Sequence, residues 1–289
     1  MQRHISLFLR HIVLLNIAIL FCQQNLAQYY YHDIVLTNQN QRQQQLYKKN
    51  KVTLVKVLSF EANGMPAEHF VCELTPNNSY TQIKTFTQTD LSGKSSLTSY
   101  YNFKGQLYRS VDSSNESATK YDYSYDSTGR LSLASNISEG FTSKVQQKEA
   151  HDWKYSTDGC PQIMYRVKNG TDTTHVKLLC DEAMNVIEEE SFWQNISKEK
   201  IYYYYDNLNR LTDIVRYNPR LGKLLPDYMF EYNNAAQLTQ MITVQQGGSD
   251  YLTWRYEYAE NGLKTRELCF DKQKRLVGRI EYQYSFKNQ

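Results

Sequence analysis

Along most of the chain apolar and polar positions alternate with period two. Trp254-Arg-Tyr256-Glu-Tyr258, Tyr228-Met-Phe230-Glu-Tyr232 and Leu276-Val-Gly278-Arg-Ile280-Glu-Tyr282-Gln-Tyr284 put aromatic side chains on one side and mostly charged ones on the other. That pattern predicts half-buried β-strands with an aromatic face and a charged face. Short polar turns punctuate the strands. Asp or Asn opens each turn by bonding to the backbone two residues on, and Gly or Asn supplies the left-handed residue that lets the next strand return. Hairpins of this kind predict antiparallel neighbours throughout.

Strand and turn together form a repeat: an aromatic pair, a polar turn of about four residues, then a leucine or its equivalent. The clearest copy is Tyr123-Ser-Tyr125-Asp126-Ser-Thr-Gly129-Arg130-Leu131. Tyr203-Tyr-Tyr205-Asp206-Asn-Leu-Asn209-Arg210-Leu211 repeats it with asparagine in place of the glycine. Weaker copies start at Tyr101, Phe230 and Tyr256, and others centre on Phe60 to Pro66, Trp153 to Pro161, Cys180 to Val186 and Phe270 to Leu276. The anchors Tyr125, Tyr155, Cys180, Tyr205, Tyr232 and Tyr258 fall 25 to 30 residues apart, one two-stranded unit per repeat. The expected fold is all-β: an antiparallel meander of tandem hairpin repeats with roughly 16 to 18 strands, forming one long twisted or curled sheet.

The first 50 residues break this pattern. Arg3 and Arg10, the apolar run Ile12 to Phe21 and the small Ala27 read as an export signal over residues 1–27. Its apolar run is about half of the roughly 20 residues a membrane-spanning helix needs, so no transmembrane anchor is expected. A lipid anchor on Cys22 is disfavoured because Phe21 stands where a lipobox needs a small residue. Residues 28–50 form a polar N-terminal segment whose Gln/Asn tract, Asn38 to Gln45, has neither period and reads as a loop or edge linker. The repeat domain then spans residues 51–289, with its first strand at Lys51 to Phe60. Lysines and arginines near the end (Lys272, Lys274, Arg275, Arg279, Lys287) are suited to discourage edge-to-edge pairing of the last strands.

The sequence Tyr123 to Leu131, echoed at Tyr203 to Leu211, resembles the YD repeat of RHS-type cell-surface proteins. The family's long hairpin strips coil into shells, teneurin-like ectodomains and toxin-enclosing cocoons, so the resemblance implies a curled sheet and a role in the bacterial envelope or outside the cell. This chain is far shorter than a toxin-enclosing shell and lacks the Asp-Pro-x-Gly-Arg-like junction that precedes a released toxin. The resemblance implies no particular functional residues here.

Composition supports sheet and narrows function. The 25 tyrosines stand against only 12 glycines and 5 prolines, which disfavours disorder and suits pleated surfaces. Loss of the signal removes Arg3 and Arg10 from a formal charge of +3, so nothing electrostatic calls for nucleic acid. Cys72, Cys160, Cys180 and Cys269 would allow up to two disulfides in an oxidising compartment, yet their sparse spacing favours four small buried or half-buried residues over a disulfide framework.

Catalytic signatures are missing: no H-E-x-x-H, G-x-S-x-G, C-x-x-C or G-x-G-x-x-G occurs. Gly93-Lys94-Ser95 imitates the end of a P-loop, but Gln88 stands where its first glycine belongs. His151-Asp152 and Glu68-His69 read as solvated strand-end pairs, because neighbours on a strand point to opposite faces. Glu188-Glu189-Glu190 reads as a charged outer face. No catalytic, cofactor-binding or metal-ligating residue is expected, and no cofactor. The candidate ligand-binding residues are Tyr202 and Tyr204, which lie opposite Tyr203 and Tyr205 and could stack on sugar rings or grip a peptide. The expected function is a non-catalytic secreted or envelope-associated scaffold, periplasmic or on the outer surface, for a glycan or protein at the cell surface. The alternative is a carrier or chaperone enclosing an apolar ligand in its curled sheet.

Overall fold

The computed structural model describes residues 29–143, 145–218, 221–244 and 249–287; the expected export signal and Cys22 lie outside them. A helix, α1 (His32–Lys49), precedes the sheet. The first strands are β1 (Val52–Glu61), β2 (Val71–Pro76), β3 (Gln82–Thr89), β4 (Gly93–Tyr101), β5 (Leu107–Ser114) and β6 (Ser117–Tyr125). Next come β7 (Leu131–Gly140), β8 (Gln146–Tyr155), β9 (Pro161–Lys168), β10 (Asp172–Cys180), β11 (Val186–Trp193) and β12 (Ile196–Tyr205). The last are β13 (Leu211–Asn218), β14 (Lys223–Tyr232), β15 (Leu238–Val244), β16 (Tyr251–Tyr258), β17 (Lys264–Phe270) and β18 (Leu276–Phe286).

Each strand pairs antiparallel with its sequence neighbours, and β1 also pairs with β18, from Val52↔Phe286 to Glu61↔Gly278. The sheet of 18 strands therefore closes into an antiparallel barrel rather than remaining one long curled sheet. Closure removes two long edges of unpaired backbone groups. The cations of the last hairpin consequently guard no edge; Arg279 instead lies over the Phe60 ring, 4.1 Å from its centroid.

The expected loop over Asn38 to Gln45 is instead the middle of α1. The helix has Asp33 in its first turn and Lys48 and Lys49 in its last, matching its dipole. It lies across the lumen at one rim, and its partners there are largely backbone carbonyls. Gln44 Nε2 donates to Tyr80 O at 2.8 Å, and Asn50 Nδ2 to Asn261 O at 3.3 Å. Tyr47 and Leu46 pack among Val55, Tyr101, Trp254, Leu263 and Ile280. At the other end Tyr29, Tyr30, Tyr31 and Ile34 pack against Trp153, Met164, Val176, Ile201, Tyr203 and Ile214. A helix docking on carbonyls must be polar, which is why no apolar period marks it.

The repeat explains the rim that α1 covers. In the β6–β7 turn, Asp126 Oδ1 accepts from the backbone N–H groups of Thr128 and Arg130, at 2.9 Å each. Gly129 takes φ +88° and its counterpart Asn209 φ +58°, the left-handed region the turn requires. Arg130 donates to Asp126 and lies over Tyr155 of the next repeat, 4.6 Å from the ring centroid; Arg210 does the same with Asp206 and Tyr232. The hydroxyls of the anchors Tyr125, Tyr155, Tyr205, Tyr232 and Tyr258, and of Tyr284 in β18, donate to the carbonyls of Leu107, Leu131, Val186, Leu211, Leu238 and Lys264, each the first residue after the preceding turn of that rim. The Tyr, Arg and Leu positions of Tyr-Asp-x-x-Gly-Arg-Leu thus join one repeat to the next, while Asp and Gly shape the turn itself. The copies at Phe60 and Phe270 use similar turns on the opposite rim, between β1 and β2 and between β17 and β18.

One repeat makes this link covalently. Cys160 stands at the arginine position and Cys180 at the tyrosine position of the following repeat, and the two form a disulfide. Spacing alone did not reveal it, because the bridge depends on repeats being lateral neighbours. Cys72 and Cys269 are buried free thiols, as expected of all four. With its partners separated by 20 positions in sequence, the bridge contributes about 3 kcal/mol by loop closure. Cys160→Ala with Cys180→Ala should lose that in calorimetric melting, whereas Cys160→Arg with Cys180→Tyr should regain part of it by restoring the stack. Equal losses in both double variants would contradict this equivalence.

Charged ladders cover the outside of the strands. Lys56 pairs with Glu73, Arg109 and Lys120 with Asp122, Lys200 with Glu188 and Glu190, and Arg266 with Glu257. A lipid-spanning barrel presents an apolar band at these positions. No helix among the described residues is long and apolar enough to cross a membrane.

Candidate functional site

Below the helix, β8 to β14 turn charged and hydroxyl side chains inward, where the period-two pattern otherwise brings aromatics. Glu189 is the middle residue of the acidic run: Glu188 and Glu190 face out to Lys200, while Glu189 is fully buried. Its carboxylate accepts from the backbone N–H groups of Tyr30 and Tyr31, at 2.8 Å each, and from Tyr203 Oη at 2.9 Å. It thereby caps the N-terminus of α1, whose own N-cap residue, Tyr31, offers no side-chain bond. Burial pushes the Glu189 carboxyl up, against the pull of those donors.

Beside it runs a buried chain of alternating charge. Asp33 Oδ2 accepts from Trp153 Nε1 at 3.2 Å and lies 2.6 Å from His151 Nδ1. His151 Nε2 lies 3.1 Å from Glu149, which in turn accepts from Arg166 at 2.9 Å. Burial alone would lower the His151 pKa, but Asp33 and then Glu149 outweigh it and raise it to about 10. Burial works against Glu149 as well, yet His151 and Arg166 hold its carboxyl low. His151 is therefore a charged, buried partner of the helix, not half of a solvated strand-end pair; only Asp152 faces out, to Lys154. The other such pair is solvated as expected: His69 is exposed and pairs with Asp90. With each member matched to an opposite charge, the buried chain anchors α1.

Toward the rim opposite the helix, this polar interior opens into a cleft of about 470 Å³. It is lined by Tyr30, Arg166, Asp172, Thr174, Ser191, Trp193, Lys198 and Glu199. Arg166 Nη1 reaches Thr174 Oγ1 at 3.4 Å and Asp172 at 3.8 Å. Glu199 is held from behind by Arg216, which also pairs with Asp227. Lys198 lies over one face of Trp193, 5.4 Å from its centroid. A smaller crevice of about 250 Å³ separates α1 from the motif turns, between Tyr31, Tyr125, Arg130 and Tyr155.

Tyr202 and Tyr204 lie on the outside of β12, away from both spaces. Lys200 stands 6.0 Å from the Tyr202 ring centroid, and Tyr204 is 47% exposed. Tyr203 is buried inside, and Tyr205 bonds to Val186 O at the rim. The residues that shape the interior, Asp33, Glu149, His151, Arg166 and Glu189, carry one faint sequence signal. His151 shares strand parity with Trp153 and Tyr155, which assigns it to the aromatic face. No group of His, Cys, Asp and Glu among the described residues is arranged to hold a metal.

No protein-family model matches this chain, and no curated protein does. Solved structures give distant likenesses. A crystal structure of a porin-like protein from Bacteroides uniformis aligns over 82% of this chain and 97% of its own, at 9% identity and a TM-score of 0.40. The corresponding Bacteroides vulgatus porin-like protein covers 82% of this chain and 99% of its own at 13% identity and a TM-score of 0.27. The Photorhabdus luminescens Tc holotoxin pore with a TccC3 mutation aligns over 73% of this chain at 13% identity and a TM-score of 0.34; the match spans 12% of the toxin chain.

Proposed function

We propose that this chain is an exported, non-catalytic binding scaffold, a short YD-like repeat barrel that takes its ligand in the cleft at the open rim. The observation carrying this reading is the asymmetry of the lumen: α1 and its buried charges fill one end, while the other presents a polar cleft with an exposed tryptophan. The Cys160–Cys180 disulfide supports an oxidising compartment, in keeping with the export signal expected over residues 1–27. The charged exterior favours a barrel surrounded by water, in the periplasm or outside the cell, over one embedded in lipid. Self-filling of the lumen favours the scaffold over the carrier of apolar ligands. Trp153, Tyr203 and Ile214 on one side and Tyr47, Trp254 and Leu263 on the other occupy the space such a ligand would need.

The test is binding of the full chain to an array of oligosaccharides and peptides, with product analysis of every bound member. Retention without turnover, weakened by Trp193→Ala and unaffected by Tyr204→Ala, is expected. Turnover of any bound member, abolished by a substitution in the cleft, would contradict the non-catalytic reading.

A further inference from the structure

The chemistry of the open-rim cleft is narrow enough to name a ligand class. Its eight lining residues include no aliphatic side chain, so it offers neither a lipid tail nor an apolar peptide side chain a dry place to sit. Its charges balance: Arg166 and Lys198 against Asp172 and Glu199. Arg166 is committed to Glu149 and Thr174, and Glu199 to Arg216, which leaves Lys198, over Trp193, and Asp172 as one charge of each sign and no net charge to draw an ionic ligand. What remains are hydroxyls on Tyr30, Thr174 and Ser191, the outer carboxylate of Asp172, and an aromatic plane.

Trp193 supplies that plane. It is 42% exposed at the tip of the β11–β12 hairpin and has Lys198 over one face. The other two tryptophans, Trp153 and Trp254, are buried in the lumen. A carboxylate and hydroxyls that accept and donate, beside an aromatic ring, match the hydroxyl rim and C–H face of a pyranose. At about 470 Å³ the cleft is within the usual 300–1,000 Å³ range of small-ligand sites.

From the cleft at the open rim, with Trp193 as its stacking plane and Asp172, Thr174, Ser191 and Tyr30 as its polar partners, we infer that the ligand is a neutral oligosaccharide. This rests on the reading of the chain as a binding scaffold. Trp193 stacks on a sugar ring from the face opposite Lys198, and Asp172 accepts from a pair of neighbouring sugar hydroxyls. Arg166 holds Thr174 and Asp172 in place.

The experiment is an array of neutral, amino and acidic oligosaccharides probed with the full chain, followed by tryptophan fluorescence titration of the strongest neutral member. Neutral oligosaccharides should bind and shift the emission, since Trp193 is the exposed fluorophore. Trp193→Ala should weaken binding about tenfold or more; Asp172→Asn should weaken it, and Trp193→Phe should retain part of it. Melting of each variant separates lost binding from lost fold. Absence of neutral-sugar binding in the folded wild type overturns the inference. Peptide binding that depends on Trp193 overturns the sugar assignment and leaves the scaffold reading standing. Sugar binding that survives Trp193→Ala and is lost in Tyr204→Ala overturns the cleft itself.

Discussion

Replacing Glu189 with alanine is expected to destabilise the protein by about 3 to 5 kcal/mol, because three buried donors lose their acceptor together. The side chain is 2% exposed and accepts three bonds, two from the backbone of Tyr30 and Tyr31 and one from Tyr203. Alanine leaves all three donors without an acceptor where water has little access, and each orphan costs about 1 to 3 kcal/mol. The loss should be local before it is global. Hydrogen exchange should quicken first in α1 (His32–Lys49), because the missing acceptor is its N-terminal cap. Glu189→Gln retains an acceptor oxygen and should lose less. Urea denaturation checks the size of the effect, and a change below about 1 kcal/mol in Glu189→Ala would show that the helix does not depend on this cap.

Raising the pH should release the same end of the helix. His151, with an ordinary value of 6.5, is raised to about 10 in the folded chain. A group raised on folding contributes stability that is complete below its unfolded pKa and is lost as pH climbs through its folded one. The His151 contribution is accordingly whole below pH 6.5 and disappears toward pH 10. Its size is roughly a few kcal/mol, given about 1.4 kcal/mol for each unit between the two values. Two carboxylates face the imidazole, Asp33 from α1 and Glu149 from its own strand; the Tyr30 ring packs edge-on at 5.5 Å. Glu149 works in the other direction: held below its ordinary value of 4.5, it contributes above that pH and loses its share as acid protonates it. Glu189, raised by burial, opposes folding as it ionises above 4.5. Melting temperature should therefore fall between pH 7 and 10 in the wild type, and His151→Gln should start lower and flatten that slope. An unchanged slope in the variant would mean that the alkaline loss comes from other groups.

The strands and motif turns were legible in the sequence because their burial is set locally. Period two assigns Trp254, Tyr256 and Tyr258 to one face, and Asp126 with Gly129 announces a turn whose Asp126 bonds are local. Closure was not legible, since pairing of Val57 with Tyr282 joins the two ends of the repeat domain and no window of sequence contains both. The helix is hidden in the sequence for a different reason. Its buried face, Asp33, Thr37, Gln44 and Tyr47, is mostly polar and matches carbonyls and charges contributed by distant strands. The same holds for the candidate site: Tyr202 and Tyr204 stand out because strand parity puts them opposite Tyr203 and Tyr205, whereas Trp193, Asp172 and Arg166 meet only once β9 to β12 are side by side. The disulfide follows this rule too, for Cys160 and Cys180 are partners because Arg130 and Tyr155 are partners one repeat earlier.

Native-state hydrogen exchange of the full chain tests most directly whether the barrel is closed with its own N-terminal helix docked across the lumen. β1 and β18 should be as slow to exchange as the central β12, and α1 should be protected along with them, because closure pairs both terminal strands and the interior charges hold the helix. Fast exchange throughout β1 and β18 beside a slow β12 would describe an open sheet with two edges, and would contradict the barrel and the cleft built on it.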